Sequence, residues 1–139
     1  MSTRSYICIE QKDGSFIGSY CHSDGYLSYN GAMLNNHYQN RGKVEKLISF
    51  GDMSSLCEKV EPNPNKPHSF VKRQDDVTVF YGRDRGEKNT GARTIKLEDI
   101  DSSESGIEYC YIYGLDDKWK YFECGNLGKG LKDLAKELA

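Results

Sequence analysis

The spacing of apolar and polar positions opens the chain as a β-hairpin. Residues 4–10 (RSYICIE) and 16–21 (FIGSYC) alternate in polarity and carry β-prone side chains. Between them, QKDGS contains Asp13-Gly14, a dipeptide suited to the left-handed backbone of a tight hairpin turn. With a period of two, Ile7 and Ile9 share one face of the first strand, and Tyr6 and Cys8 the other. The period then changes. Met33, Leu34, His37 and Tyr38 recur at helical spacing, as do Val44, Leu47 and Ile48. Gly42 separates the two sets and Gly51 is placed to end the second, so the spacing predicts two short amphipathic helices. GDMSSL continues as a loop or a helical turn.

Residues 61–69 (EPNPNKPHS) hold all three prolines and predict an exposed loop. Residues 76–82 (DVTVFYG) predict a strand in which Val77, Val79 and Tyr81 alternate with Thr78 and Phe80. RDRGEKNTGAR reads as a polar loop, TIKLEDI as a short strand or turn, and DSSES as a further exposed loop. A second hairpin is predicted over residues 107–114 (IEYCYIYG) and 119–125 (WKYFECG), joined by LDDK. Tyr109, Tyr111 and Tyr113 would line one of its faces, Cys110 and Ile112 the other. At the end of the chain Leu127, Leu131, Leu134 and Leu138 form a helical stripe, suited to covering the sheet or to pairing with a second copy. The expected fold is a single α+β domain over residues 1–139. It has a mostly antiparallel sheet of about five strands, two short helices after the first hairpin and a C-terminal helix, with the helices on one face.

Composition narrows the function classes. The 139 residues are 37% hydrophobic with a mean hydropathy of −0.74, so the core is modest, and ten tyrosines bring polar tips into it. A net charge of −2 gives no bulk field for nucleic acid or an anionic membrane, although a local basic patch remains compatible with it. The apolar run YICI is too short for a signal peptide, and no segment is long enough to span a bilayer. The expectation is a cytoplasmic protein without a membrane partner. Cys8, Cys21, Cys57, Cys110 and Cys124 are odd in number and widely spaced, which fits reduced thiols better than disulfides or a zinc knuckle. No Walker A loop, dinucleotide fingerprint, zinc-helix motif or nucleophile elbow is present. No cofactor or metal is expected.

Three stretches carry candidate chemistry. Arg4, just before the first strand, offers a rigid donor fork for a carboxylate or phosphate. The stretch YCHSDGYLSYNG, residues 20–31, leaves a strand and enters a helix, where backbone N–H groups can bind an anion. Within it, Gly25 and Gly31 permit a positive φ or a close approach to a ligand, and Asn30 could cap the helix. His22 and Asp24 lie two apart and would project the same way from a continued strand, the carboxylate orienting the imidazole as a base or closing a turn. YGRDRGE, residues 81–87, puts Arg83 and Arg85 on one face of an extended continuation, as a clamp for phosphate. His37 reads as a structural helix residue and His68 as exposed in the proline loop.

TRS near the N-terminus, YCHSDGY followed by NG and a helix, and the later YGRDRGE together resemble a family of small phage and prophage proteins. There the N-terminus reads T-R-S-aromatic-I and the loop Y-C-H-x-D-G-Y-P, with a broader bacterial and fungal set similar in part. The likeness covers residues 3–54 well and 77–87 more weakly. Carried over residue by residue, the marked positions are Thr3, Arg4, Ser5, Tyr20, His22, Asp24, Gly25, Tyr26, Gly31, Arg83, Asp84, Arg85, Gly86 and Glu87. The chain departs from the pattern at Leu27, where the family has proline, and at Tyr29, often glycine. The resemblance implies a phage setting, in the cytoplasm of an infected cell.

Two function classes follow. The first is a phage-encoded binding protein that inhibits a host defence system, either by occupying a defence protein or by sequestering a nucleotide immune signal. Arg4, Arg83 and Arg85 would then hold phosphates while Tyr20 or Tyr26 stacks a base, with His22 and Asp24 beside them. The second is a small hydrolase acting on a phosphodiester or amide bond, with His22 as base oriented by Asp24, or with Ser2 or Thr3 exposed by processing as an N-terminal nucleophile. A structural virion protein ranks last. A homo-oligomer is compatible with either class.

Overall fold

The computed structural model describes residues 3–139. The first hairpin forms as its alternation requires: β1 (Ser5–Glu10) pairs antiparallel with β2 (Phe16–Cys21), and Gly14 takes the left-handed conformation in the turn. The chain then makes a π-helical turn (Leu27–Gly31) into α1 (Ala32–His37) and α2 (Arg41–Ser49), the two short helices expected. Asn40 caps α2, its side chain accepting from the Lys43 N–H at 2.8 Å.

The sheet departs from the expected one. Among the described residues eight strands form a single mixed sheet, accompanied by five short α-helices, in place of a mostly antiparallel five-stranded one. Beyond the hairpin lie β3 (Met53–Ser55), β4 (Val79–Phe80), α3 (Tyr81–Arg85), β5 (Arg93–Ile95) and α4 (Leu97–Asp101). They are followed by β6 (Tyr109–Tyr113), β7 (Trp119–Glu123), β8 (Lys132–Asp133) and α5 (Leu134–Leu138). The order is β4-β3-β2-β1-β6-β7-β8, with β5 also against β2. Two pairings, β1 with β6 and β2 with β3, are parallel. Parallel neighbours need long crossovers, which α1 and α2 provide between β2 and β3.

Helices lie on both faces, not on one as expected: α1, α2 and α5 cover one and α4 the other. Ile7, Ile9, Tyr111, Tyr113 and Tyr121 meet Leu34, Val44, Leu47, Ile48 and Leu134 of the helices. On the opposite face Tyr6, Cys8, Cys110, Ile112 and Phe122 pack with Ile100 of α4 and Ile107. The Tyr6 ring lies directly over Gly18, where an added Cβ would come within 2.6 Å of it.

Three local readings change. GDMSSL supplies β3 where a loop or turn was expected, because Met53 is drawn into register with Cys21. The strand at 76–82 shortens to Val79–Phe80 and turns into α3 at Tyr81. The leucine stripe breaks at Gly128 and Gly130: Leu127 joins the cluster beneath α4, Leu131 is exposed, and only Leu134 and Leu138 sit on α5. No helix among the described residues is long and apolar enough to cross a membrane.

Candidate ligand-binding surface at the end of the sheet

The stretch at residues 20–31 is first of all an interlock. Its Gly25 N–H donates to the Thr3 carbonyl at 2.8 Å, and a Cβ on Gly25 would fall 2.7 Å from that of Ser5. Gly25 is therefore required by close approach of the Thr3–Ser5 segment, and Asp24, at φ 55°, takes the left-handed position. Asn30 is fully buried and donates to Ser5 Oγ at 3.2 Å and to the Ser23 carbonyl at 3.1 Å. Tyr111 Oη donates to the Gly25 carbonyl at 2.6 Å across the sheet. The T-R-S and D-G-Y elements thus occur together because they pack together.

The expected anion cradle is filled by the chain itself. Asn30 N–H donates to the Asp24 carbonyl, and the Tyr29 and Gly31 N–H groups donate to that of Tyr26. Gly31 is helical, and its neighbours at van der Waals distance are Tyr111 and Leu134.

Of the candidate residues, Arg4, Tyr20 and His22 come together. Carrying the Ser5–Cys21 and Tyr6–Tyr20 pairing one residue further sets Arg4 level with His22, on the face that α4 covers, with the Arg4 Nη1 3.3 Å from where a Cβ on Gly106 would lie. Tyr20 Oη lies 2.7 Å from His22 Nδ1, and the rings are tilted by 58°. Burial raises the Tyr20 phenol above its usual pKa, while the Arg4 guanidinium works in the opposite direction. His22 hydrogen-bonds Tyr20 and not Asp24, whose carbonyl is held by Asn30. Tyr26 is 40% exposed and its ring contacts Tyr29, with centroids 6.4 Å apart. Arg4 is exposed, and its guanidinium forms no ion pair with the described residues.

Arg83 and Arg85 do not form the expected clamp. They lie on a helical turn, not on an extended strand, so residues two apart point in different directions. Arg83 is engaged internally: it donates to both Asp84 carboxylate oxygens at 2.8 and 3.0 Å, and to the Val60 and Thr78 carbonyls at 2.6 and 2.8 Å. Asp84 also accepts from the Phe80 N–H and lies 3.2 Å from His68 Nε2. His68, expected to be exposed, is 3% exposed, and its Nδ1 accepts from the Gln74 N–H. Nε2 therefore carries the proton and donates to Asp84. Burial raises the Asp84 pKa, but the hydrogen bonds from Arg83 and Phe80 and the Arg83 charge outweigh it and hold the carboxyl below its usual range. Arg85, by contrast, is exposed and lies over the Phe70 ring, 4.8 Å from its centroid.

Sequence reasoning passed over Phe70, Arg73 and Tyr81 as surface neighbours of this end of the sheet. The signal was the run KPHSFVKRQ, residues 66–74, which has no acidic residue. Nucleophilic chemistry has little to draw on. Burial pushes the Cys21 thiol up to about 12 and the Cys124 thiol to about 11. Ser2, a candidate N-terminal nucleophile, lies outside the described residues. Among the described residues no group of three or more His, Cys, Asp or Glu side chains is placed to hold a metal ion. Comparison with family models, curated proteins and solved structures finds no match.

Proposed function

We propose that the chain is a phage-encoded binding protein that counters a host defence system by holding a phosphate-bearing nucleotide signal. The observation that carries this reading is the cluster of an exposed arginine, Arg4, beside the hydrogen-bonded Tyr20–His22 pair on one face of the sheet. A guanidinium beside polar aromatic rings offers charge for a phosphate and a surface for a planar base. The phage setting comes from the resemblance of the Thr3–Ser5, His22–Tyr26 and Arg83–Glu87 motifs.

The hydrolase alternative has less support. Its base would be His22, but among the described residues the ring is hydrogen-bonded through Nδ1 to Tyr20 and no hydrogen bond joins it to Asp24. Isothermal titration with AMP, a cyclic dinucleotide and ADP-ribose tests the reading. The expected result is saturable, stoichiometric binding of at least one of them, weakened about tenfold or more by Arg4→Ala, with the ligand recovered intact by chromatography. Turnover of excess ligand that is lost in His22→Ala would overturn it in favour of the enzyme.

A further inference from the structure

Tyr20, Tyr81 and Phe70 continue one another across the sheet. Cys21 pairs with Met53 and Met53 with Phe80, all three facing the helix-side core. The neighbouring Tyr20 and Tyr81 therefore turn to the other face, flanking β3 two strand spacings apart, about 10 Å. Their backbones are tied to the same residue: Tyr20 N–H donates to Asp52 Oδ1 at 3.0 Å and Tyr81 N–H to the Asp52 carbonyl at 3.2 Å. Tyr81 then stacks on Phe70, with centroids 5.7 Å apart and planes 29° apart.

Positive charge follows the rings. The Arg73 and Arg85 guanidiniums both lie over Phe70, at 5.0 and 4.8 Å from its centroid, and Arg4 stands at the opposite end, just before β1, with its Nη1 3.3 Å from where a Cβ on Gly106 would lie. All three arginines are exposed. The acidic groups near this path include Asp52, which is engaged by Arg93 at 2.9 Å, Glu87, 3.8 Å from Arg85, Asp75 and Asp76, which line a cavity with Arg73, and Glu108, whose N–H donates to the Arg4 carbonyl. The loop bearing Phe70 and Arg73 is pre-formed: Phe70 N–H donates to the Asp84 carbonyl, Arg73 Nε to that of Phe70, and the Gln74 side chain to those of Asn63 and Lys66.

From this arrangement we propose that the ligand is a short oligonucleotide, laid along an open strip from Arg4 over Tyr20 and Tyr81 to Arg73 and Arg85. The proposal rests on the nucleotide-binding reading and extends it. Phosphates meet the arginines at both ends and bases stack on the tyrosines between them. A single nucleotide covers one ring and reaches one end of the strip, whereas two to four nucleotides reach both. An exposed strip with separated cations suits a strand better than it suits a small molecule, which needs an enclosing cavity.

The test is fluorescence anisotropy with labelled tetraadenylate, with unlabelled AMP as competitor, on the full chain. The expected tetranucleotide affinity is at least tenfold above that of AMP, and log Kd rises with log salt with a slope of about 2, as three phosphate contacts give. Arg73→Ala and Arg85→Ala each lower that slope by about 0.7 and shrink the preference over AMP. Tyr81→Ala weakens tetranucleotide binding about fivefold or more, while Tyr81→Phe, which keeps the ring and the fold, binds as the parent does. Equal affinity for AMP and tetraadenylate, or a preference that survives both arginine variants, overturns the strip and leaves the nucleotide reading standing. Failure of every nucleotide to bind, in this assay and by titration, overturns both.

Discussion

The turn over residues 22–31 and the loop over residues 61–76 are held by opposite means. The turn is dense in residues that often mark a site, yet its glycine, its asparagine and its N–H groups are engaged in joining Thr3–Ser5 to β6. The loop carries three prolines and reads as expendable surface, yet a buried His68–Asp84–Arg83 network and Gln74 fix it from beneath. One loop uses conspicuous residues for architecture, and the other uses architecture to present inconspicuous ones. Density of polar and glycine residues therefore marks where a chain must be tightly specified. It does not by itself mark a ligand site, and the exposed cations Arg4, Arg73 and Arg85 lie outside the turn.

Substitutions can break this contrast. Asp84→Ala has the largest expected effect: it leaves Arg83 without its carboxylate and frees the loop, costing about 3 kcal/mol in urea unfolding. The same carboxyl gives a pH signature. Its folded pKa lies below its unfolded value, so its contribution is complete above the ordinary carboxylate range and is lost as pH falls below about 4. Urea midpoints of the parent and Asp84→Asn should therefore converge on acidification; a gap unchanged between pH 7 and pH 3 would show that Asp84 is not anchored as described.

Gly25→Ala comes next, at about 2 kcal/mol, because the added methyl meets Ser5 and the Thr3 carbonyl below van der Waals distance. A loss under about 0.5 kcal/mol would mean that the two segments separate easily. Tyr111→Phe removes only the hydroxyl that reaches the Gly25 carbonyl and should cost about 1 kcal/mol. Arg85→Ala is expected to be the mildest, within about 0.5 kcal/mol, since the side chain is exposed and its ion pair with Glu87 is long. If it proved as costly as Asp84→Ala, the distinction between the buried and the presented arginine would be lost.

Both hairpins were legible because their signals are local: Asp13-Gly14 with flanking alternation, and the IEYCYIYG and WKYFECG repeats about LDDK. The two helices after the first hairpin were legible from their apolar spacing. What failed was non-local. β3 and β8 are two or three residues long, too short to show a period, and become strands only because a neighbour pairs with them, while β4 is a two-residue remnant of the longer strand expected over residues 76–82. The expected antiparallel sheet reflected the same limit: a hairpin turn is written in adjacent residues, whereas the parallel pairing of β1 with β6 joins residues some hundred positions apart. The site divided in the same way. The hairpin register sets Arg4 near His22 at one end of the sheet, whereas the helical turn at Tyr81 separates Arg83 from Arg85.

By itself, then, the sequence determined the elements whose stability is local, the wide spacing of the cysteines, and the residues able to carry charge or stack. Only the tertiary structure decided which of those residues are engaged. Arg83 and Arg85 are identical in type and two positions apart, and nothing local distinguishes them. One meets a buried carboxylate and the Val60 and Thr78 carbonyls, and the other meets solvent, Glu87 and the face of Phe70. Burying an unpaired polar group is costly, so the fold claims the donors it needs and leaves the remainder at the surface.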